Sequence, residues 1–204
     1  PFIKIFEEER EQSLMLCVDI SASGLTGSID QNKRDLAIEI CAVLAFSAIK
    51  NGDKVGLVLF SDVIEKVVPP KKGRTHVLRL IRELYTTKPT GKGTDIANAL
   101  SYVNRLLDRR AIVVLATDFQ DSEYQKQLRI TNQKHDLVSI IVNDEFETEL
   151  PKVGLLPLHD AETGKEILID TSSAKVREAY SKRKKSAQLA LDDALLKMKI
   201  DTVR

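Results

Sequence analysis

Four short apolar runs, separated by segments with helical spacing, constrain the fold of this chain more than any other feature. The runs are 14–20, 55–60, 111–117 and 137–143. Each is nearly continuous in apolar residues, as is typical of strands buried on both faces of a parallel sheet. The helical segments are 33–50, 78–84, 95–107 and 122–134. This alternation predicts an α/β fold, a Rossmann-like three-layer domain with a mostly parallel central sheet.

One predicted strand runs antiparallel to its neighbour. Residues 64–68 follow the strand 55–60 after Ser61, Asp62 and Val63 only. That link is too short for a parallel crossover and therefore predicts a hairpin with an antiparallel edge strand. We expect Pro69-Pro70 to end this strand.

The C-terminal part of the chain has a weaker pattern. Residues 166–170 predict a short strand, a long helix covers about 174–199, and a last strand begins at about Ile200. Because no internal repeat, linker or second core is found, residues 1–204 are predicted to form a single domain. The chain starts at Pro1 without Met or a signal peptide, so we expect it to be an excerpt of a longer protein.

Composition argues against two classes of partner. Lys and Arg number 31 and Asp and Glu number 30, which leaves a net charge of +1 and no bulk field toward nucleic acid or an anionic membrane. The longest uncharged apolar run, 40–49, is shorter than the roughly 20 residues that a membrane-spanning helix needs. We therefore expect no nucleic-acid partner and no membrane span.

Two cysteines indicate the compartment. Cys17 and Cys41 both lie within apolar stretches, which predicts buried thiols and not a disulfide framework. Free thiols are typical of a reducing environment, so we expect a cytoplasmic protein.

Histidines and basic runs predict no site. His76, His135 and His159 are dispersed, and we expect them at the surface. The basic run 182–185 lies within a helix that also carries acids and lacks interleaved aromatics, which favours a solvated helix face.

Oxygen-bearing side chains gather where an open parallel sheet binds ligands, beyond the carboxyl ends of its strands. Asp19, Ser21 and Ser23 alternate after the first strand, Thr94 opens a helix, and Asp118 ends the strand 111–117. Carboxylates and hydroxyls without imidazole or thiolate suit a hard divalent ion, Mg²⁺, with Mn²⁺ or Ca²⁺ as substitutes. Six-coordination leaves a position open to water or to a partner's carboxylate.

Each of these residues also has a purely structural interpretation. Ser21 or Ser23 can satisfy backbone donors of the loop, and Thr94 suits a helix N-terminus, as does Asp95. Asp118 can brace the turn before the helix that Asp121-Ser122 can cap. What favours the metal site is that all three motifs occur in order at one predicted edge of the sheet.

Together, Asp19-x-Ser21-x-Ser23, Thr94 and Asp118 resemble the metal-ion-dependent adhesion site (MIDAS) of von Willebrand factor A domains, whose element order also fits. More narrowly, several segments are similar to the bacterial group called domain of unknown function 58. These segments are 6–10, 52–60, 69–74, 93–95, 122–137, 160–164 and 169–171.

The resemblance implies a metal-dependent protein-interaction module, often encoded beside a MoxR-type AAA+ ATPase and acting with it in the assembly or maturation of complexes. It implies that Asp19, Ser21, Ser23, Thr94 and Asp118 form the metal shell, with Ser21 and Ser23 as direct ligands. The expected partner is a protein that offers an acidic side chain to the metal, such as that ATPase or its client. Many adhesion sites have Gly after the last Asp; Phe119 stands there, and we expect it to narrow access to the metal.

An enzymatic function is the alternative. Asp19 beside Mg²⁺ is similar to the nucleophile of haloacid-dehalogenase-like phosphotransferases, but those need a second acid two residues on, where this chain has Ser21. Ser23 is not in a nucleophile elbow, because Ser21 occupies the place of the first Gly. The segment 91–94 lacks the spacing of a nucleotide-binding loop. We therefore expect a binding module without catalytic residues.

Overall fold

The computed structural model describes residues 11–21, 28–91, 93–142, 150–159 and 166–203. The strands in these ranges are β1 (Ser13–Asp19), β2 (Lys54–Phe60), β3 (Ile64–Lys71), β4 (Ile112–Thr117), β5 (Asp136–Ile141), β6 (Leu155–His159), β7 (Glu166–Asp170) and β8 (Asp201–Val203). The helices are α1 (Ser28–Lys50), α2 (Arg74–Thr86), α3 (Ile96–Leu106), α4 (Gln125–Lys134) and α5 (Ala174–Lys197).

The central sheet has the strand order β3-β2-β1-β4-β5-β8. All neighbouring strands pair in parallel except β2 and β3, which are antiparallel. The prediction of a mostly parallel sheet with one antiparallel edge strand is therefore confirmed. From β1 the chain builds the sheet first through β2 and β3 on one side and then through β4 and β5 on the other. Strand order thus reverses between β1 and β4, and their carboxyl ends flank the place where such sheets bind ligands.

The core has two layers, one on each face of the sheet. Leu14, Leu16 and Val18 of β1 pack in the cluster that includes residues of α1 and α2. Met15 and Cys17 point to the other face, where α3, α4 and the end of α5 contribute. This alternation along β1 is why its sequence is apolar from Leu14 to Val18: both of its faces are covered there.

Both cysteines are free and buried, as predicted. Cys17 belongs to one layer of the core and Cys41 to the other. Burial raises the pKa of Cys41 to about 12 and also raises that of Cys17, so both thiols stay protonated at neutral pH.

Strand β3 continues to Lys71, so the prediction that Pro69-Pro70 ends it is wrong. β3 is an edge strand, where a residue without an N–H group is tolerated. The register also shifts opposite the prolines, because Leu57 pairs with Val68 but Val55 pairs with Lys71. This bulge accommodates the extra residue of β3.

Three helix starts differ from the prediction by at least three residues. α2 begins at Arg74 and not at Leu78. α1 begins at Ser28 and not at Lys33, because its first turn is mainly polar and carries little of the apolar periodicity. α4 begins at Gln125 and not at Ser122, and no side chain caps it. The expected cap, Asp121, instead accepts a hydrogen bond of 2.9 Å from the backbone N–H of Ile96, at the start of α3.

Near the C-terminus, β6 and β7 form a separate antiparallel ribbon. β7 was predicted and β6 was not, so His159, expected in an irregular stretch, ends a strand. β8 adds to the central sheet beside β5, which confirms a strand near Ile200. None of the helices in the described ranges is both long and apolar enough to cross a bilayer.

Candidate metal-ion site

Asp19 is the last residue of β1, at the reversal of strand order. Its Oδ1 accepts hydrogen bonds from the backbone N–H and the hydroxyl of Ser21, at 2.9 and 2.6 Å. Its Oδ2 accepts a hydrogen bond of 2.8 Å from the hydroxyl of Thr117. Burial raises the pKa of Asp19, although the hydrogen bonds from Ser21 and Thr117 act in the opposite direction.

The hydroxyl of Ser21 links Thr94 to the carboxylate of Asp19. Its Oγ1 lies 2.7 Å from the Oγ of Ser21, although the two residues are 73 positions apart. Thr94 directly precedes Asp95, which caps α3 by accepting a hydrogen bond of 2.7 Å from the N–H of Asn98. Asp19, Ser21 and Thr94 therefore form one connected group of oxygen atoms at the carboxyl edge of the sheet.

Asp118 lies at the same edge, one residue beyond the Thr117 hydroxyl that contacts Asp19. Its Oδ1 accepts a hydrogen bond of 3.0 Å from the N–H of Gln120, so the carboxylate also shapes the turn after β4. Ser23, the remaining predicted ligand, lies outside the described residues.

Thr117 is a residue of the site that sequence reasoning missed. It is only 2% exposed, and its hydroxyl both contacts Asp19 and accepts a hydrogen bond of 3.3 Å from the N–H of Phe119. The available signal was a hydroxyl at the end of an otherwise apolar strand, immediately before Asp118. A buried threonine there needs a polar partner.

Phe119 has a left-handed backbone, with φ of 58°. This conformation suits Gly and is strained for a residue with a Cβ. The Phe119 ring packs against the ring of Tyr124, with 5.3 Å between the two ring centroids. It is buried in the core layer of α3 and α4. Only 7% of Phe119 is exposed, so most of its ring lies in the core layer. Its effect on access to a metal stays a prediction.

The donor set fits a hard divalent ion. Asp19 supplies a carboxylate whose charged form is disfavoured by burial, and a cation would offset that cost. Ser21 and Thr94 add hydroxyl oxygens. Within the described ranges, no group of three or more His, Cys, Asp or Glu side chains is arranged to hold a metal. A site here thus depends on hydroxyls, as Mg²⁺-type coordination by oxygen permits.

Two of the three histidines are less exposed than predicted, and the side chain of His159 lies outside what the structure describes. His135 is 1% exposed at the junction of α4 and β5, so its expected surface position is wrong. Neither ring nitrogen has a hydrogen-bond partner in the described part of the chain. His76 is partly buried, with its Nε2 at 2.9 Å from the carbonyl oxygen of Val55.

The basic run of α5 forms a solvated helix face, as predicted. Lys182, Arg183 and Lys185 are exposed. The Nζ of Lys184 lies 5.8 Å from the centre of the Tyr180 ring.

Comparison with solved structures identifies the fold as von Willebrand factor A-like. The conserved hypothetical protein BatB from Bacteroides thetaiotaomicron has a TM-score of 0.57 at 17% identity, over 92% of this chain and 98% of that one. An aerotolerance-related membrane protein from Bacteroides fragilis has a TM-score of 0.52 at 17% identity, over 91% and 99%. At this level of identity, the likeness establishes the fold alone.

The chain belongs to the family described as Protein of unknown function DUF58, whose family model matches residues 1–190. It is 32% identical over 167 residues to the uncharacterized protein Rv1480 from Mycobacterium tuberculosis, covering 80% of this chain and 53% of that protein. It is 34% identical over 120 residues to the uncharacterized protein MAV169 from Mycobacterium avium, covering 56% and 69%. The chain spans about half the length of the first of these relatives.

Proposed function

We propose that this domain is a protein-interaction module that depends on a divalent metal ion, and that this ion is Mg²⁺. The observation that carries the proposal is the hydrogen-bonded group of Asp19, Ser21 and Thr94 at the reversal of strand order. Asp118, at the same edge, would supply the second carboxylate, and Ser23 the third hydroxyl. The chemistry supplied by a bound dication is an electrophilic position that attracts a carboxylate.

The residues of the domain hold and orient the site. Thr117 and the backbone N–H of Ser21 fix both oxygens of Asp19, so the carboxylate has a defined orientation before any ion binds. The two carboxylates of Asp19 and Asp118 would neutralise a dication, which leaves the remaining coordination position to an acidic side chain of the partner. Specificity then depends on the surface around that position.

The proposed partner class is a protein with an exposed Asp or Glu, and a MoxR-type AAA+ ATPase or its client is the first candidate. The likeness to the family motivates this candidate. The buried, free thiols of Cys17 and Cys41 support a reducing compartment such as the cytoplasm.

Thermal unfolding with Mg²⁺ and with chelator tests the metal. At about 100 times the Kd, binding adds about 2.7 kcal/mol to the free energy of unfolding, which raises the Tm of a domain of this size by several degrees. Asp19→Ala and Asp118→Ala should each abolish the rise. Asp53→Ala is the matched control, because Asp53 lies at the amino end of β2 and accepts its hydrogen bond from the N–H of Gln12. Identical wild-type curves with Mg²⁺ and with chelator would refute the metal site.

A side-by-side pull-down tests the partner. Wild-type and Asp19→Ala domains, each with Mg²⁺, are exposed to the candidate ATPase in purified form. Retention by the wild type and loss in the variant is the expected result. Equal retention by both would show that the contact does not use the metal.

The module is proposed to have no enzymatic activity of its own. A phosphotransferase that uses Asp19 as its nucleophile needs an acid two residues further along the chain. Ser21 occupies that position, and its hydroxyl donates a hydrogen bond to Asp19. Metal-dependent turnover of a generic phosphoester that disappears in Asp19→Asn would overturn this part of the proposal.

A further inference from the structure

Glu65, near the start of β3, binds the segment that leads to Thr94. Its Oε1 accepts hydrogen bonds from the backbone N–H groups of Thr90 and Gly91, at 2.8 and 2.9 Å. Its Oε2 accepts a hydrogen bond of 2.8 Å from the hydroxyl of Thr90. The hydrogen bonds from Gly91 and from Ser61 lower the pKa of Glu65 to about 2, so the carboxylate is charged at neutral pH.

Ser61 extends this contact to the other side of Thr94. Its hydroxyl donates a hydrogen bond of 2.7 Å to Glu65, and it is only 1% exposed. Its carbonyl oxygen accepts a hydrogen bond of 2.9 Å from the backbone N–H of Asp95. Glu65 of β3 therefore holds the chain before Thr94, and Ser61 of the turn between β2 and β3 holds it directly after Thr94.

The fit between this turn and the segment is close. A Cβ atom built on Gly91 would clash with the hydroxyl of Ser61 and the carboxylate of Asp62. A side chain at position 91 would fit only if the side chains of Ser61 and Asp62 moved away. The segment is thus fixed by shape as well as by the hydrogen bonds of Glu65.

We propose that Glu65 is a positioning residue of the metal site, which holds residues 90–91 against the β2–β3 turn and so keeps the Thr94 hydroxyl beside Ser21. Thr94 lies before the first residue of α3, so the helix alone does not fix its place. A ligand that is held in place before binding loses less conformational freedom when the ion binds. Glu65 thereby sets the affinity for the ion without contacting it. This inference rests on the proposed metal function.

Mg²⁺ affinity measured by calorimetry tests the inference. In Glu65→Ala, we expect the Kd for Mg²⁺ to rise about tenfold or more, as is typical when a residue that orients metal ligands is removed. Glu65→Gln should restore most of the affinity, because its amide oxygen can still accept from Thr90 and Gly91. Hydrogen exchange at the Gly91 amide should be faster in Glu65→Ala than in the wild type.

Glu83→Ala is the matched control. Its carboxylate is also partly buried and also contacts β3, through an ion pair of 3.3 Å with Lys66. This variant should lose stability without a change in the Kd for Mg²⁺. A parallel rise of the Kd in both variants would show that general destabilisation is responsible, and would overturn the positioning role.

The outcomes separate this inference from the function on which it rests. If the wild type does not bind Mg²⁺, the proposed function fails. If the wild type binds Mg²⁺ and Glu65→Ala binds it equally well, the function stands and the positioning role is refuted. Should Glu65→Ala not fold, Glu65→Asp replaces it, because its shorter side chain keeps the charge but cannot reach the two amides. An unchanged Kd in Glu65→Asp would then refute the role.

Discussion

The hydroxyl of Thr117 donates a hydrogen bond of 2.8 Å to the Oδ2 of Asp19 and so joins the ends of β4 and β1. The two strands are neighbours at the reversal of strand order. The sheet therefore orients one oxygen of the carboxylate at the centre of the candidate site, while Ser21, in the loop after β1, orients the other.

Thr117→Val removes this hydroxyl while keeping the shape of the side chain. The charged form of Asp19 then loses one of its donors in a partly buried place, and we expect the free energy of unfolding to fall by about 1–3 kcal/mol. Urea denaturation in the presence of chelator measures the loss. Thr117→Ser keeps the hydroxyl, so its free energy of unfolding should be close to that of the wild type. If Thr117→Ser loses as much stability as Thr117→Val, the loss is due to packing and not to the hydrogen bond.

The raised pKa of Asp19 predicts a specific pH dependence of the metal-free domain. A carboxyl whose pKa is higher in the folded than in the unfolded state stabilises the fold at low pH, and this contribution is lost as the pH rises through the folded-state value. Asp19→Asn removes this contribution. In the presence of chelator, the Tm of the variant minus the Tm of the wild type should therefore increase as the pH rises from about 3 to 7. Calorimetric scans across that range measure it, and a difference that stays constant with pH would contradict the prediction.

His135 predicts an effect of opposite sign in a different pH window. Burial lowers the pKa of His135, and the positive charges of Lys134 and Arg110 lower it further, whereas the negative charge of Asp136 raises it. The unfolded chain therefore binds a proton more readily, and the domain should lose stability as the pH falls below the ordinary histidine value of about 6.5. In His135→Leu, the dependence between about pH 7.5 and 5 should become shallower in urea denaturation. His76→Leu serves as the comparison, and an unchanged slope in His135→Leu would refute the assignment.

At position 119, we expect the Gly variant to be more stable than the Ala variant, which is the reverse of the usual order. Both Phe119→Gly and Phe119→Ala lose the buried ring and its contact with Tyr124, a loss of about 3–5 kcal/mol. Only Gly relieves the left-handed backbone, which costs about 1–2 kcal/mol for a residue with a Cβ. Phe119→Gly should thus be the more stable variant by about 1 kcal/mol in denaturant unfolding. The Ala variant being the more stable one would show that the backbone moves on substitution.

The alternation of apolar runs and helical segments was sufficient to predict the mostly parallel sheet, because strands buried on both faces, such as β1, β4 and β5, are nearly continuous in apolar residues. The three-residue link between β2 and β3 predicted its antiparallel pair. The path of β3 through Pro69-Pro70 was not predictable in this way, since it depends on a bulge and on the edge position of the strand. β6 was missed although its partner β7 was predicted; Pro157 lies in the middle of β6, and proline is disfavoured within strands.

For the candidate site, regular spacing marked Asp19 and Ser21, and the Gly-Thr helix entry marked Thr94. The structure brings these three together. Thr117 and Glu65 gave no comparable signal, because each acts across the fold: one contacts a residue 98 positions away, and the other a segment 25 to 26 positions away. Contacts of this kind depend on strand order, which motif spacing does not contain.

The two consecutive prolines of β3 have a consequence for how this sheet can associate with other polypeptides. A strand that joins a sheet from outside needs free N–H donors along the margin that it approaches, and Pro69 and Pro70 offer none. The β3 margin is thereby protected against intermolecular strand addition and the aggregation that follows from it. In the described part of the chain, the opposite margin of the central sheet is formed by β8, which contains no proline and whose three residues are exposed.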